Sequence, residues 1–291
     1  MVQLVDSDIR TKEVLGWKGV HLFHFMGSSC SQKTRIFLTE KGVDWESHHI
    51  DLPGFENFTE WYLGINPRGL LPALVHDGAV HIESNDIMRH VDAAFPGPQL
   101  FPDDPEEAAY LERSLQTEDD LHLCVRTLTF RFMAPTEKLR KDPKALETYE
   151  KAGSGTVGGA ADPRKPIEVK FWQDMAAHGI PDDKVMAAID AFAPHLAELD
   201  GRLQKHEWLL ASGFSMLDIA WWISVHRLAS LGFPMDCYPA LQAWYSRLAA
   251  REHFSREVAP PPERAAAMNG YRESLEAAGK GLADLMAAHG R

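Results

Sequence analysis

The segment HLFHFMGSSCSQKTRIFLTEKG, residues 21–42, decides how the fold is read. Its first five residues, HLFHF, have the composition of a buried strand. A glycine and a knot of small polar residues follow, Gly27-Ser28-Ser29-Cys30-Ser31. Then Thr34, Phe37, Leu38 and Lys41 recur at helical spacing, and Gly42 stands where a helix stops. A strand therefore runs through a hydroxyl-rich turn into a helix. The N-terminus of a helix offers unpaired N–H groups and about half a unit of positive charge. Hydroxyls at that end can donate as well. Such a place can bind and ionise a thiol, and it can lower the pKa of the Cys30 thiol itself. Ser28, Cys30 and Ser31 are the candidate catalytic residues. The competing reading is a plain serine cap with Cys30 as packing, but four such residues exceed what capping needs.

Outward from this segment, WESHHIDL (45–52) alternates as a second strand. Pro53-Gly54 and a short helical stretch, FTEWYLGI, come next. LLPALVHDGAVHI (70–82) reads as two short strands around Asp77-Gly78, a hairpin signal. ESNDIMRHVDAAF (83–95) reads as a helix, and PGP at 96–98 closes a β-α-β-α-β-β-α order. Beyond Pro105 the strand signals stop. Residues 106–133 read as one long helix, and helices are expected over 184–205, 215–231 and 239–250. Residues 134–167, with AGSGTVGGAADP, are expected to be a mobile loop or lid. After APPP (259–262), Tyr271, Leu275, Leu282 and Leu285 form an apolar stripe on a last helix that should dock rather than float. The expected organisation is an N-terminal extension (1–19), a small α/β domain (20–98), an all-α domain (105–258) and a C-terminal extension helix (259–291).

The bulk properties exclude several classes. With 291 residues, 45% hydrophobic and 25% charged, the chain suits a soluble globular protein of one or two domains. A net charge of -12 argues against a nucleic-acid surface. Three cysteines are too few and too scattered for a disulfide framework. The fourteen histidines show no metal-ligand spacing, and neither CxxC nor HExxH occurs. His48-His49 is the densest cluster, but adjacent strand residues point to opposite faces, so no metal is expected. The first twenty residues lack the apolar run of a signal peptide. The most apolar window, MLDIAWWISV, is short for a membrane span and contains Asp218. No membrane association and a cytoplasmic location are expected.

Three motifs now point the same way. NPRGLLPAL (66–74), Glu83-Ser84 and SMLDIAW (215–221) occur in the order found in the glutathione S-transferase superfamily, which the chain resembles over roughly 21–255. The resemblance implies a thioredoxin-like N-terminal domain, a helical C-terminal domain, a cis Leu71-Pro72 bond, glutathione as cofactor and a dimer. It implies glutathione contacts at Ser28, Asn57, Leu71, Pro72, Glu83 and Ser84. The γ-glutamyl carboxylate would lie on Ser84 and nearby N–H groups, as a helix N-terminus favours. Ser215 and Asp218 form a capping box that builds the fold and touches no substrate.

Within the superfamily three resemblances compete. SSCSQKTRIFL looks like the zeta-class motif of maleylacetoacetate isomerases. CSQKTR also looks like the tetrachlorohydroquinone reductive dehalogenases, whose catalytic Cys and following Ser fall on Cys30 and Ser31. FENFTEWYLGINPRGLLPALVHDG and the inserted KPIEVKFWQDMAAHGIP resemble the glutathione-dependent β-etherases of lignin catabolism, although an Asn of those enzymes falls on Cys30. His122, Arg126 and Phe130 share one helix face at i, i+4 and i+8. In this superfamily that helix borders the second-substrate cleft, and a cationic, aromatic face suits a small aromatic substrate. The expected function is β-aryl ether cleavage by the glutathione thiolate, as a homodimer or as one subunit of a heterodimer. The alternatives are a dehalogenase or cis-trans isomerase using Cys30, and a non-catalytic glutathione-binding partner subunit.

Overall fold

The computed structural model describes residues 2–290. The elements begin with β1 (Val2–Gln3), β2 (Val20–His24), α1 (Ser29–Lys41), β3 (Glu46–His49), α2 (Glu60–Leu63), β4 (Ala73–His76), β5 (Ala79–Ile82) and α3 (Ser84–Ala94). They continue with α4 (Pro105–Asp120), α5 (His122–Phe132), α6 (Thr136–Leu139), α7 (Pro143–Lys151), β6 (Thr156–Val157), β7 (Ala160–Ala161) and α8 (Arg164–His178). Last come α9 (Asp182–Leu203), α10 (Met216–Ser230), α11 (Pro239–Ala249), α12 (Glu252–Val258), α13 (Pro262–Ala277) and α14 (Leu282–Ala288). They form two compact units: residues up to Pro98 with Arg140–Ala177, and Gln99–Leu139 with His178 onward.

The first unit is built on a mixed sheet of order β1-β5-β4-β2-β3, in which only β2 and β3 run parallel. This is the thioredoxin-like arrangement that the motif order implied. Phe23, Ala73, Val75, Val80 and Ile82 from the sheet pack with Tyr62 and Ile65 in one apolar core. The β4–β5 hairpin turns at Asp77 and Gly78, with φ of 49° and 85°, the double left-handed turn that an Asp-Gly pair supports. A side chain at Gly78 would meet the Leu15 carbonyl oxygen at 2.2 Å. Helix α1 lies on α3 through buried lysines. Lys33 Nζ donates to Asn85 Oδ1 at 2.8 Å, and Lys41 Nζ reaches Asp92 at 2.8 Å and the Pro98 carbonyl at 2.9 Å.

Three expectations need correction. Residues 1–19 are not a separate extension: β1 pairs with β5, and Ile9 and Val14 are buried in the sheet's core. A two-residue strand carries no alternation to read. Nor does the 134–167 segment form a loose lid. Tyr149 of α7 is 1% exposed, stacks on Phe58 at 4.2 Å and donates its hydroxyl hydrogen to the Arg68 carbonyl at 2.8 Å. The buried Asp8 carboxylate accepts from Thr156 Oγ1 at 2.7 Å, Gly158 N at 2.8 Å and Gly159 N at 3.0 Å. The glycines that suggested flexibility serve a tight β6–β7 turn, with φ of 64° at Gly158 and 76° at Gly159. Residues 140–177 thus belong to the first unit, although they interrupt the helical region in sequence.

The third correction lies in the second, all-α unit. The expected helix over 106–133 is two helices, interrupted at Leu121 with ψ of -3°. Neither Gly nor Pro marks the break. Helix α4 packs on α10, whereas α5 packs on both α9 and α10, so the two halves follow different partners. The centre of this unit is α10, whose Trp221 and Trp222 are buried. Trp221 Nε1 donates to Ser114 Oγ at 2.8 Å. The Ser215–Asp218 capping box is present, and the Asp218 carboxylate also accepts from Leu209 N at 3.1 Å and Trp244 Nε1 at 2.9 Å. The C-terminal stripe docks: Leu275, Leu282 and Leu285 are buried and Tyr271 half-buried, with α13 against α5 and α14 against α9.

Candidate functional site

Strand register gathers the candidate residues of the first unit at one end of its sheet. Phe23 pairs with Ala73, and Ala73 with Ile82. The segments just outside this row are therefore neighbours: residues 25–30 leave β2, Leu71-Pro72 lead into β4, and Glu83-Ser84 leave β5. Two helices, α1 and α3, begin there, so two positive dipole ends lie at one end of the sheet. The Leu71-Pro72 bond is cis.

At the α1 end, Ser28 is the N-cap, and its Oγ accepts from Ser31 N at 3.3 Å. Capping uses an oxygen lone pair and leaves the hydroxyl hydrogen to donate outward. Ser28, Ser29 and Cys30 are all half-buried, and Cys30 forms no disulfide. Ser31 differs. It is 0% exposed and its Oγ accepts from Phe25 N at 3.3 Å, so its hydroxyl secures the preceding turn from inside. That corrects the expectation that Ser31 faces a bound thiol.

The turn before Ser28 is clamped from below. The buried Arg35 donates to the Phe25 and Met26 carbonyls, each at 3.3 Å, and Gln32 Nε2 donates to Met26 O at 3.0 Å. Arg35 Nη1 also donates to His24 Nδ1 at 3.1 Å, leaving Nε2–H to donate to Ser47 Oγ at 2.7 Å. Burial and the adjacent Arg35 charge push the His24 pKa down to about 4, so this imidazole is neutral.

At the strand entrance, residues 68–70 have every carbonyl held by a side chain. Tyr149 donates to Arg68 O at 2.8 Å, Asn57 Nδ2 to Gly69 O at 2.8 Å, and Tyr62 and Asn66 to Leu70 O at 2.7 and 2.8 Å. Asn57 is 6% exposed, and its Oδ1 is buried without a partner. Its amide nitrogen holds this loop.

At the α3 end, Glu83 adopts φ of 66°, rare for a residue with a Cβ. Its Oε1 accepts from Arg68 Nη1 at 2.6 Å, and Arg68 makes a two-pronged pair with Asp162 at 2.9 and 2.7 Å. One guanidinium is thus shared by two carboxylates, and Glu83 presents the carboxylate nearer the α3 N-terminus. A cavity of about 220 Å³ lies beside Asp162, lined by Pro67, Gly155, Asp162, Lys165 and Pro166. Ser84 is the first residue of α3 and 7% exposed. A helix N-terminus can receive a carboxylate and the Glu83 carboxylate can receive an ammonium, the two charges of an α-amino acid head group such as the γ-glutamyl end of glutathione.

Sequence reasoning missed Arg35, Gln32, Arg68, Tyr149 and Asp162. The available signal was the polar run QKTR on a helix expected to be apolar on one side. Asp162 and Tyr149 had none, since both lie in the segment expected to be loose. In the second unit, His122, Arg126 and Phe130 all fall on α5 and are half-buried.

Models of the glutathione S-transferase N-terminal and C-terminal domains match residues 27–94 and 171–247. Protein LigF of Sphingobium sp. strain NBRC 103272 / SYK-6 is 30% identical over 240 residues, covering 79% of this chain and 89% of that protein. A tetrachloro-p-hydroquinone reductive dehalogenase of Sphingobium chlorophenolicum is 29% identical over 245 residues, covering 81% and 94%. The crystal structure of the β-etherase LigF from strain SYK-6 superposes with a TM-score of 0.70 at 26% identity, covering 82% of this chain and 98% of that one. Among the described residues no helix is long and apolar enough to cross a membrane.

Proposed function

Given that this chain belongs to the glutathione S-transferase family and is a glutathione-dependent transferase, we propose that it cleaves β-aryl ether bonds of small lignin-derived aromatics. The observation that carries this reading is the likeness to LigF over most of the chain, with a matching structure of a β-etherase. Bound glutathione supplies a thiolate whose sulfur bonds to the ether carbon as the C–O bond breaks, and the phenolate leaves with the electron pair. The chain's part is to bind and to hold charge. Ser28 O–H and the first N–H groups of α1 stabilise the thiolate, and Arg35 keeps their turn in place. Glu83, Ser84 and the α3 N–H groups hold the γ-glutamyl end. Leu71 and Pro72 border the peptide portion. His122, Arg126 and Phe130 offer a cationic and aromatic face to the substrate ring. The enzyme works in the cytoplasm as a homodimer or beside a related subunit.

A second reading has its own support, the dehalogenase relative together with a half-buried Cys30 at the mouth of α1. In it Cys30 does covalent work. One set of assays separates the two: purified chain, with glutathione, against a β-aryl ether dimer, a chlorohydroquinone and maleylacetoacetate. Ether cleavage should dominate. Ser28→Ala should lose about ten- to a hundredfold in rate, as expected for ~1–3 kcal/mol of lost stabilisation, with Cys30→Ser nearly unchanged. A dead Cys30→Ser protein that accumulates glutathione conjugate would replace the first reading with the second.

A further inference from the structure

Spacing along the chain offers no metal site, but pairing across strands does. The parallel register of β2 and β3 sets His21 opposite Glu46 and Phe23 opposite His48. His21, Glu46 and His48 therefore converge on one face, and each offers a ligand atom within 4.8 Å of the other two. His49 points the other way, against His24 and Phe25.

We propose that His21 Nδ1, His48 Nε2 and the Glu46 carboxylate form a binding site for a single divalent transition-metal ion such as Zn²⁺, with one position left to water. The spacing fits. His21 Nδ1 lies 3.1 Å from His48 Nε2 and 3.4 Å from Glu46 Oε2, and His48 Nε2 lies 3.6 Å from Glu46 Oε1. Ligands about 2.0–2.2 Å from a tetrahedral zinc are separated by roughly 3.3–3.6 Å.

An independent contact fixes the chemistry of His21. Its Nε2 lies 2.8 Å from the Lys18 carbonyl, which can only accept, so Nε2 carries the proton and Nδ1 presents a lone pair to the site. An outer N–H held by a carbonyl is the support that metal-bound histidines commonly have. Without a metal, His48 Nε2–H donates to that lone pair. Binding requires that this proton move to His48 Nδ1, so no net charge need leave.

Trp17 walls the site, with ring centroids 4.7 Å from His21 and 4.9 Å from His48. Glu46 is 67% exposed in its side chain and leaves a path to solvent. Because β3 is the edge strand, an ion here would staple it to β2.

The test is calorimetric titration of the full-length, chelator-stripped chain with Zn²⁺ in thiol-free buffer, backed by the visible spectrum of Co²⁺. One ion per chain should bind, with a tetrahedral Co²⁺ spectrum. Glu46→Gln, at an exposed position, should weaken binding at least tenfold, and His48→Gln should abolish it, while Cys30→Ser binds as the parent does. Absence of binding to the parent chain, or one-to-one binding unchanged in both Glu46→Gln and His48→Gln, would overturn the proposal.

Discussion

Replacing Asp8 by asparagine should release the β6–β7 hairpin from the first unit while leaving the rest folded. The Asp8 side chain is 0% exposed and its two oxygens accept four hydrogen bonds. Oδ1 takes Thr156 Oγ1 and Gly159 N, and Oδ2 takes Val5 N and Gly158 N. Asparagine retains one oxygen. Its amide nitrogen, a donor, faces the Val5 and Gly158 N–H groups in one orientation, and in the other the Gly159 N–H and the Thr156 hydroxyl, which can turn to accept. In either orientation one hairpin N–H, that of Gly158 or of Gly159, loses its charged acceptor, so the hairpin should loosen by about 1.5–3 kcal/mol. Hydrogen exchange followed by mass spectrometry reads this directly. Exchange across residues 155–162 should accelerate by about tenfold to a hundredfold, at roughly 1.4 kcal/mol per decade. Acid should act likewise. Burial opposes the Asp8 charge, but hydrogen bonds from Thr156, Val5, Gly159 and Gly158 outweigh it and hold the pKa below 3.8. A depressed carboxylate stabilises the fold above 3.8, and that stabilisation disappears as pH falls through the lower folded value. Unchanged exchange in Asp8→Asn across this segment would refute the argument and restore the loose-loop reading.

The buried histidines His24, His81 and His226 are each held to about 4, burial being the largest cause. Their stabilisation is present above 6.5 and lost as pH falls toward 4, at up to about 3 kcal/mol for each. Asp218, raised to about 6 by burial, opposes this, since its contribution is lost as pH rises through 6. The three histidines outweigh it, so urea midpoints should drop between pH 7 and 4.5, and a rise would refute the assignment. Asp218→Ala leaves Leu209 N–H and Trp244 Nε1–H buried without acceptors, so urea unfolding should show a loss of about 3–5 kcal/mol, and a loss under 1 kcal/mol would contradict the capping argument. Deleting residues 263–291 uncovers the faces of α5 and α9 and removes the buried Leu275, Leu282 and Leu285, each worth about 1.5–3 kcal/mol, so the melting temperature should fall and dye binding to exposed apolar surface should rise.

Features that depend on nearby residues were legible in the sequence. The strand, turn and helix of 21–42 formed as the local pattern required, as did the Asp77-Gly78 hairpin and the Ser215–Asp218 cap. Features set by distant partners were not. Nothing near Leu121 announces a break, because two different helical surfaces impose it. Glycines at 153–159 carry the same letters whether they are loose or locked, and the lock is Asp8, far away in sequence. Ser31 differs from Ser28 only in which way a helix turn points it. The histidine pair followed the same rule: the alternation argument correctly separated His48 from His49, but only strand pairing brings His21 beside His48.

The intervening position of residues 140–177 bears on how the chain is made. A ribosome delivers residues from the N-terminus at about 5–20 per second, and domains fold as they are completed. The first unit, however, is incomplete at Pro98. Phe58 waits for Tyr149, Asp8 for Thr156, and Arg68 for Asp162. Helices α4 and α5 emerge in the interval, before their partners α9 and α10 exist. During that interval two sets of apolar surface are exposed at once. The nascent chain should therefore be most vulnerable to aggregation and most dependent on chaperones in the stretch between residues 98 and 177, and slow codons or stalls there should lower the yield of folded protein more than the same delays near either end.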